Sequence, residues 1–254
     1  MSSHPKTLAS APLVEPAAAL SSAIPAPLKL GVLVSGSGSN LQAILDAIQA
    51  GTLNAQLRLV VSNVPDAYAL QRAEKAGIPT QVIPHRHPLG RQGFEQRLLE
   101  AFQQVGVEWV ALAGFMRVLT GHFLQAFPGR VVNIHPALLP SFPGMHGQAQ
   151  ALDYGVRLAG ATVHLVDEGV DTGPILCQGA VPVLEDDTEE SLKARILQLE
   201  HQIYPRALQL LASGRVVVEG RRVRLRPLAH GSSGEPSTMD LRGLTQAPAS
   251  IVYP

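Results

Sequence analysis

The chain has 254 residues, 46% of them hydrophobic, which suffices for one substantial core or at most two small ones. Twenty Lys and Arg balance twenty Asp and Glu, so the net charge gives no support to a general nucleic-acid or membrane surface. The single Cys177 excludes an intrachain disulfide, and no apolar run approaches the ~20 residues a membrane helix needs.

Residues 1–27 are rich in Ala, Leu and Pro, but Glu15 and the prolines 12, 16, 25 and 27 interrupt any signal-peptide core. A disordered leader is expected there, not export. Leu28 to Val34 is continuously apolar apart from Lys29 and Gly31 and reads as a buried strand. The turn Ser35-Gly36-Ser37-Gly38-Ser39-Asn40 follows, then a helix with Leu41, Ile44, Leu45 and Ile48 at helical spacing, closed by Gly51. Leu57 to Val61 predicts a second strand, Ala69 to Ala76 a helix capped by Gly77, and Thr80 to Ile83 a short strand. Gly93 to Val105 is helical by its Phe94, Leu98 and Phe102 face, and Trp109 to Ala113 and Val131 to Ile134 are further strands. After Ala161 to Val166 the chain turns through Asp171 and returns as Ile175 to Val183, an antiparallel partner. Thr188 to Leu211 is the longest helical pattern, with Glu189 and Glu190 in its first turn. Val216 to Val218 and Arg222 to Leu225 predict a terminal hairpin around Glu219-Gly220. Strands alternating with helices imply an α/β fold. The expectation is a doubly wound, mostly parallel twisted sheet with a C-terminal antiparallel portion, one domain over residues 28–227 and a flexible tail over 228–254.

Two stretches carry the chemistry. In a strand, Asn133 and His135 point the same way while Ile134 packs behind them, and Pro136 ends the ladder there. That end of an open α/β sheet is where ligands bind. Asp171 sits in the Gly-rich turn Glu168-Gly169-Val170-Asp171-Thr172-Gly173-Pro174. An Asn to donate to a developing oxyanion, a His to move protons and an Asp to orient the His and favour its charged form suit acyl chemistry. The glycine turn before the first helix suits a phosphate ester on backbone N–H groups. It lacks both the Gly-Lys-Ser/Thr of a Walker motif and the third glycine of a dinucleotide fingerprint.

Other polar groups read more plainly. His85-Arg86-His87 lies between Pro84 and Pro88 without Cys or carboxylates at ligand spacing, as a solvated loop does. His164 alternates within an apolar strand, which suits a satisfied core residue equally well. Cys177 reads as packing, and Arg221, Arg222, Arg224 and Arg226 as a solvated hairpin.

Four motifs in colinear order resemble phosphoribosylglycinamide formyltransferase, the folate-dependent enzyme family of purine synthesis. They are Ser35 to Ile44, Ala113-Gly114-Phe115-Met116-Arg117-Val118-Leu119, Asn133-Ile134-His135-Pro136-Ala137-Leu138-Leu139-Pro140 and Val170 to Ile175, joined by Glu200-His201-Gln202-Ile203-Tyr204-Pro205. The likeness runs from about Leu28 to about Gly214. It implies a Rossmann-like formyltransferase fold, with 10-formyltetrahydrofolate as co-substrate and no metal. It also implies roles. Gly38, Ser39 and Asn40 hold the ribose phosphate and Glu200 the glycinamide end. Arg91, Met116, Arg117, Val118 and Leu119 border the folate, while Asn133, His135 and Asp171 catalyse, Asn133 touching the folate as well. Gln148 stands where relatives commonly carry a second histidine, and Leu197 where they often carry a polar residue. The implied partners are small molecules, without nucleic acid or membrane, in a cytoplasmic monomer or homodimer. Two relatives share the core chemistry. Formyltetrahydrofolate hydrolases carry an extra amino-terminal domain and methionyl-tRNA formyltransferases an extra carboxyl-terminal barrel, and neither extension is expected here. A non-catalytic folate or phosphate-ester binder would not need the trio.

Overall fold

The computed structural model describes residues 25–227 apart from His87 and Leu89, together with the backbone of residues 250–252. Of the expected leader and tail, only residues 25–27 and 250–252 fall within that range.

The parallel half of the sheet forms first along the chain. β1 (Leu28–Val34) leads through α1 (Ser39–Gln49) to β2 (Ala55–Ser62), and α2 (Tyr68–Lys75) leads on to β3 (Thr80–Val82). α3 (Gly90–Gln104) then carries the chain back across the sheet to β4 (Trp109–Leu112), and the short α4 (Gly121–Ala126) precedes β5 (Val131–His135). β1 pairs in parallel with both β2 and β4, so the strand order reverses between β1 and β4. Such a switch point opens a crevice at the carboxyl ends of the strands. Helices cover both faces: α1, α2 and α6 (Glu189–Ala212) contribute Leu41, Ala73 and Ile203 to one apolar cluster, while α3 and α4 contribute Phe102 and Phe123 to the other. Strands buried on both faces must be apolar throughout, which is why β1 shows no polar alternation.

Beyond β5 the direction changes. α5 (Gly147–Tyr154) is followed by β6 (Leu158–Leu165), which pairs antiparallel with β5, and by β7 (Ile175–Pro182), antiparallel to β6. After α6 come β8 (Val216–Glu219) and β9 (Arg222–Leu225), a separate two-stranded hairpin, and β10 (Ser250–Val252), which pairs antiparallel along β7. The eight-stranded order is β10-β7-β6-β5-β4-β1-β2-β3. α6 opens on a capping box in which Thr188 and Ser191 satisfy each other's backbone N–H. Further along, buried Tyr204 donates its hydroxyl proton toward the Leu112 and Val132 carbonyls, 3.0 and 3.1 Å away. That contact locks α6 against the end of β4 and the middle of β5, one residue before Asn133.

Differences from the sequence expectation are local. α3 begins at Gly90 instead of Gly93, since its polar first turn carries no apolar period. α4 and α5 were not expected: six and eight residues are too short to establish a helical face in sequence. Cys177 is buried against α6, and burial pushes its thiol up to about 12.

Candidate active site

The glycine turn after β1 is fixed from behind. The Gly36 carbonyl accepts from Ala69 N (3.0 Å), the Ser37 carbonyl from Arg72 Nε (2.9 Å) and the Gly38 carbonyl from Gln42 N (2.9 Å). In a trans peptide the C=O and the following N–H point in opposite directions. Three carbonyls turned toward α1 and α2 therefore turn the N–H groups of Ser37, Gly38 and Ser39 outward, and among the described residues none of these donates to a backbone acceptor. Gly38 is required twice over. Its φ of 71° is left-handed, and a Cβ there would lie 2.5 Å from that of Ala69. The result is an anion nest at the start of α1, facing a cavity of about 210 Å³ lined by residues 35–40, Ala113, Gly114 and Met116.

One turn into this wall, buried Asn40 donates to Glu200 Oε2 at 2.7 Å, joining α1 to α6. Burial pushes the Glu200 carboxyl up to about 7, against the opposing pull of the Asn40 hydrogen bond. Asn40 Oδ1 is buried with no protein partner among the described residues, leaving an acceptor for a ligand N–H or O–H.

The three residues expected to be catalytic, Asn133, His135 and Asp171, meet at the ends of β5 and β6. Asn133 and His135 leave the same face of β5, and the antiparallel register sets His164 of β6 directly opposite Asn133. Asp171 is swung into place by a left-handed turn, φ 55°, in which Gly173 lies so close to the Leu165 carbonyl that a Cβ would not fit. Its Oδ2 accepts from Gly144 N at 2.7 Å and lies 3.3 Å from His135 Nδ1, while Oδ1 lies 3.6 Å from His164 Nε2. Burial raises the Asp171 pKa, but hydrogen bonds from His164 and Gly144 and the nearby histidine charges outweigh it and leave the carboxyl below its usual range. The other His135 nitrogen, Nε2, donates to the Phe142 carbonyl at 2.9 Å. Both ring nitrogens thus face oxygen acceptors, an arrangement that gives each an N–H only in the imidazolium form.

His164 belongs to this group as well. Its Nδ1 donates to the Leu165 carbonyl (2.9 Å), and its Nε2 faces the Asn133 amide at 3.2 Å. When the ring is neutral, Nε2 accepts from Asn133 Nδ2 and leaves the second amide hydrogen for a ligand; when it is charged, Nε2 donates toward Asp171 Oδ1 instead.

A larger cavity, about 620 Å³, opens on the far side of Met116 and is lined by residues that include Arg86, Arg91, Phe94, Arg117 and Val118. Three guanidiniums beside exposed Val118 suit a ligand with an apolar body and carboxylate groups. Met116 is exposed between the two cavities, whereas Leu119 is 5% exposed and packs into the α3 core instead of lining the cavity. The segment is anchored by fully buried Glu95, which accepts from the Thr120 N–H (2.8 Å) and hydroxyl, and by Ser35 Oγ, which accepts from Met116 N (2.9 Å). Ser35 Oγ donates to Asn63 Oδ1, and Asn63 Nδ2 reaches His85 Nδ1 at 3.3 Å, which ties half-buried His85 into the cavity wall. Asn133, His135 and Asp171 line neither cavity: His135 is 4% exposed beneath the Phe142 carbonyl.

His164, Glu95, Asn63 and Arg72 were not singled out for the site from sequence. For His164 a signal existed, an alternate position in a strand that ends beside the Asp171 turn. For Asn63 the contact exists only once β2 pairs with β1, and for Arg72 and Glu95 only once α2 and α3 are packed.

The formyl transferase family matches residues 28–208, from β1 into α6. The chain is 40% identical over 189 residues to phosphoribosylglycinamide formyltransferase of Escherichia coli (strain K12), covering 74% of this chain and 89% of that one. It is 48% identical over 192 residues to trifunctional purine biosynthetic protein adenosine-3 of Drosophila melanogaster, where the match covers 75% of this chain but only 14% of the relative. The crystal structure of glycinamide ribonucleotide transformylase 1 from Symbiobacterium toebii superimposes with a TM-score of 0.76 at 51% identity, over 78% of this chain and 94% of that one. A match that spans the parallel strands, the switch-point crevice and the Asn133–His135–Asp171 corner places the chain in the formyl transferase family.

Proposed function

We propose that the chain transfers the formyl group of 10-formyltetrahydrofolate to the amine of 5′-phosphoribosylglycinamide, giving the N-formyl product and tetrahydrofolate in de novo purine synthesis. The observation that carries this is Asp171, held 3.3 Å from His135 on the same strand end as Asn133, in a sheet whose β1, two strands away, ends in a backbone anion nest.

The ribose phosphate sits on the N–H groups of Ser37 to Ser39, with Asn40 and Glu200 facing the rest of the acceptor. The pterin and glutamate of the folate lie along Met116 to Val118 toward Arg91 and Arg117. The neutral amine attacks the formyl carbon, a new C–N bond forms, and the carbonyl electrons move onto oxygen. The second Asn133 amide hydrogen and the His135 imidazolium stabilise that oxyanion. Collapse breaks the bond to folate N10, which takes up one proton as the former amine releases one, with His135 as the carrier and Asp171 holding its charge. His135 Nε2 is engaged by the Phe142 carbonyl, so residues 140–146 shift when the formyl oxygen takes that place. Both ligands are small molecules.

The test is turnover of 10-formyltetrahydrofolate with and without the ribonucleotide. Tetrahydrofolate formed only with the ribonucleotide establishes the transferase. The same rate without it makes the protein a hydrolase, and no product in either case rejects both.

A further inference from the structure

Arg72 lies on α2, away from both β5 and the folate-side cavity, yet it touches the glycine turn directly. Its Nε donates to the Ser37 carbonyl at 2.9 Å and its Nη1 to Gln42 Oε1 at 3.1 Å, while the guanidinium carbon stands 4.9 Å from the centre of the Tyr68 ring. The side chain is half-buried. Among the described residues no carboxylate lies within ion-pair distance of it; Asp46 enters only through Gln42, whose amide donates to Asp46 Oδ1. A cation stacked on an aromatic ring and bonded to two neutral oxygens is held in place with its charge undischarged by a direct partner.

The Ser37 carbonyl that receives Arg72 belongs to the same peptide as the Gly38 N–H. Fixing the oxygen toward α2 fixes that N–H toward the cavity and polarises it. α2 also donates Ala69 N to the Gly36 carbonyl and presses Ala69 against Gly38, so the helix carrying Arg72 is the back wall of the nest. We infer, given the phosphorylated acceptor proposed above, that Arg72 is a positioning residue for the phosphate. It sets the Ser37–Gly38 peptide, adds a side-chain cation in contact with the turn, and makes the enzyme discriminate for a phosphorylated over an unphosphorylated acceptor. Lysine would keep the charge but not the fork that holds Ser37 and Gln42 together.

The experiment is R72M, assayed with the ribonucleotide and with the same acceptor lacking its phosphate, alongside calorimetric titration of inorganic phosphate. The kcat/KM for the ribonucleotide should fall about ten- to a hundredfold, the range for one charge-assisted hydrogen bond, while that for the unphosphorylated acceptor and the KM for formyl folate stay unchanged. Phosphate affinity should fall in step, and R72K should recover part of it. Equal loss with both acceptors, or no loss with either, overturns the inference. Should R72M melt near the assay temperature, R72K is judged by the same ratio. Phosphate titration needs no turnover, so an unchanged affinity in a folded variant counts against Arg72 alone. Absence of ribonucleotide turnover in the unsubstituted protein counts against the functional proposal alone.

Discussion

The two walls of the crevice are made of different material. At the end of β1 the candidate phosphate site consists of peptide groups: three carbonyls are tied down from behind, and the amides that face the cavity belong to Ser37, Gly38 and Ser39. At the ends of β5 and β6 the candidate catalytic corner consists of side chains, Asn133, His135, His164 and Asp171, placed by strand alternation and one left-handed turn. A backbone site depends on conformation and is insensitive to most side chains on its own residues. A side-chain site tolerates little chemical change, while the fold beneath it persists. The first wall should fail in binding and the second in rate.

The largest effect is expected at the second wall. His135→Ala should lower kcat by about two to four orders of magnitude, the span for loss of a positioned acid–base group, with acceptor KM close to its original value. Circular dichroism should show the fold retained, since Ile134 and Val132 supply the core contacts of β5. Asn133→Ala removes the proposed oxyanion donor and should cost about two to three orders. A His135→Ala enzyme that kept most of its rate would remove the trio from the mechanism.

Gly38→Ala attacks the first wall and should show the opposite pattern. The left-handed φ and the 2.5 Å approach of the new Cβ to Ala69 force the turn away from α2. Stability should drop by about 1 to 3 kcal/mol and acceptor KM should rise, with kcat at saturation the less affected constant. If kcat alone fell, the turn would be acting on the chemistry and the contrast between the walls would collapse.

What was legible in the sequence follows the same division. The trio could be read because alternation on one strand and a Gly-rich turn are local facts about Asn133, His135 and Asp171. The glycine turn could be read as a strand-to-helix connection with outward-facing N–H groups for the same reason. His164 could not be separated from a core histidine, because its meaning comes from the register that sets it opposite Asn133, and register is a property of two strands. Arg72 looks like any basic residue of a surface helix until α2 packs on Gly38, and Leu119 shares a motif with Met116 and Val118 yet turns into the α3 core. The mostly parallel sheet between helices fitted the alternating pattern, whereas its strand order is set only by packing and α4 and α5 were too short to leave a period.

The smallest effect, and the one most sensitive to pH, belongs to the residue that ties the two helices of the first wall together. A carboxyl whose pKa is raised on folding, as burial raises Glu200 from 4.5 to about 7, holds its proton more tightly in the folded protein than in the unfolded chain. Its contribution to stability is therefore complete below pH 4.5 and is lost as pH rises through about 7. Glu200→Gln keeps the shape and an acceptor for Asn40 but has no proton to lose. At pH 5 the variant and the original should melt together, and at pH 8 the variant should be the more stable by about 1 to 3 kcal/mol. Acceptor KM at pH 8 should rise by about tenfold, as when a charged hydrogen-bond partner is replaced by a neutral one. Parallel stability curves from pH 5 to 8 would mean that the folded protein ionises Glu200 as easily as water does. Asn40 would then be donating to a carboxylate throughout, and the acceptor would meet a fixed negative charge where this geometry offers a proton poised near neutrality.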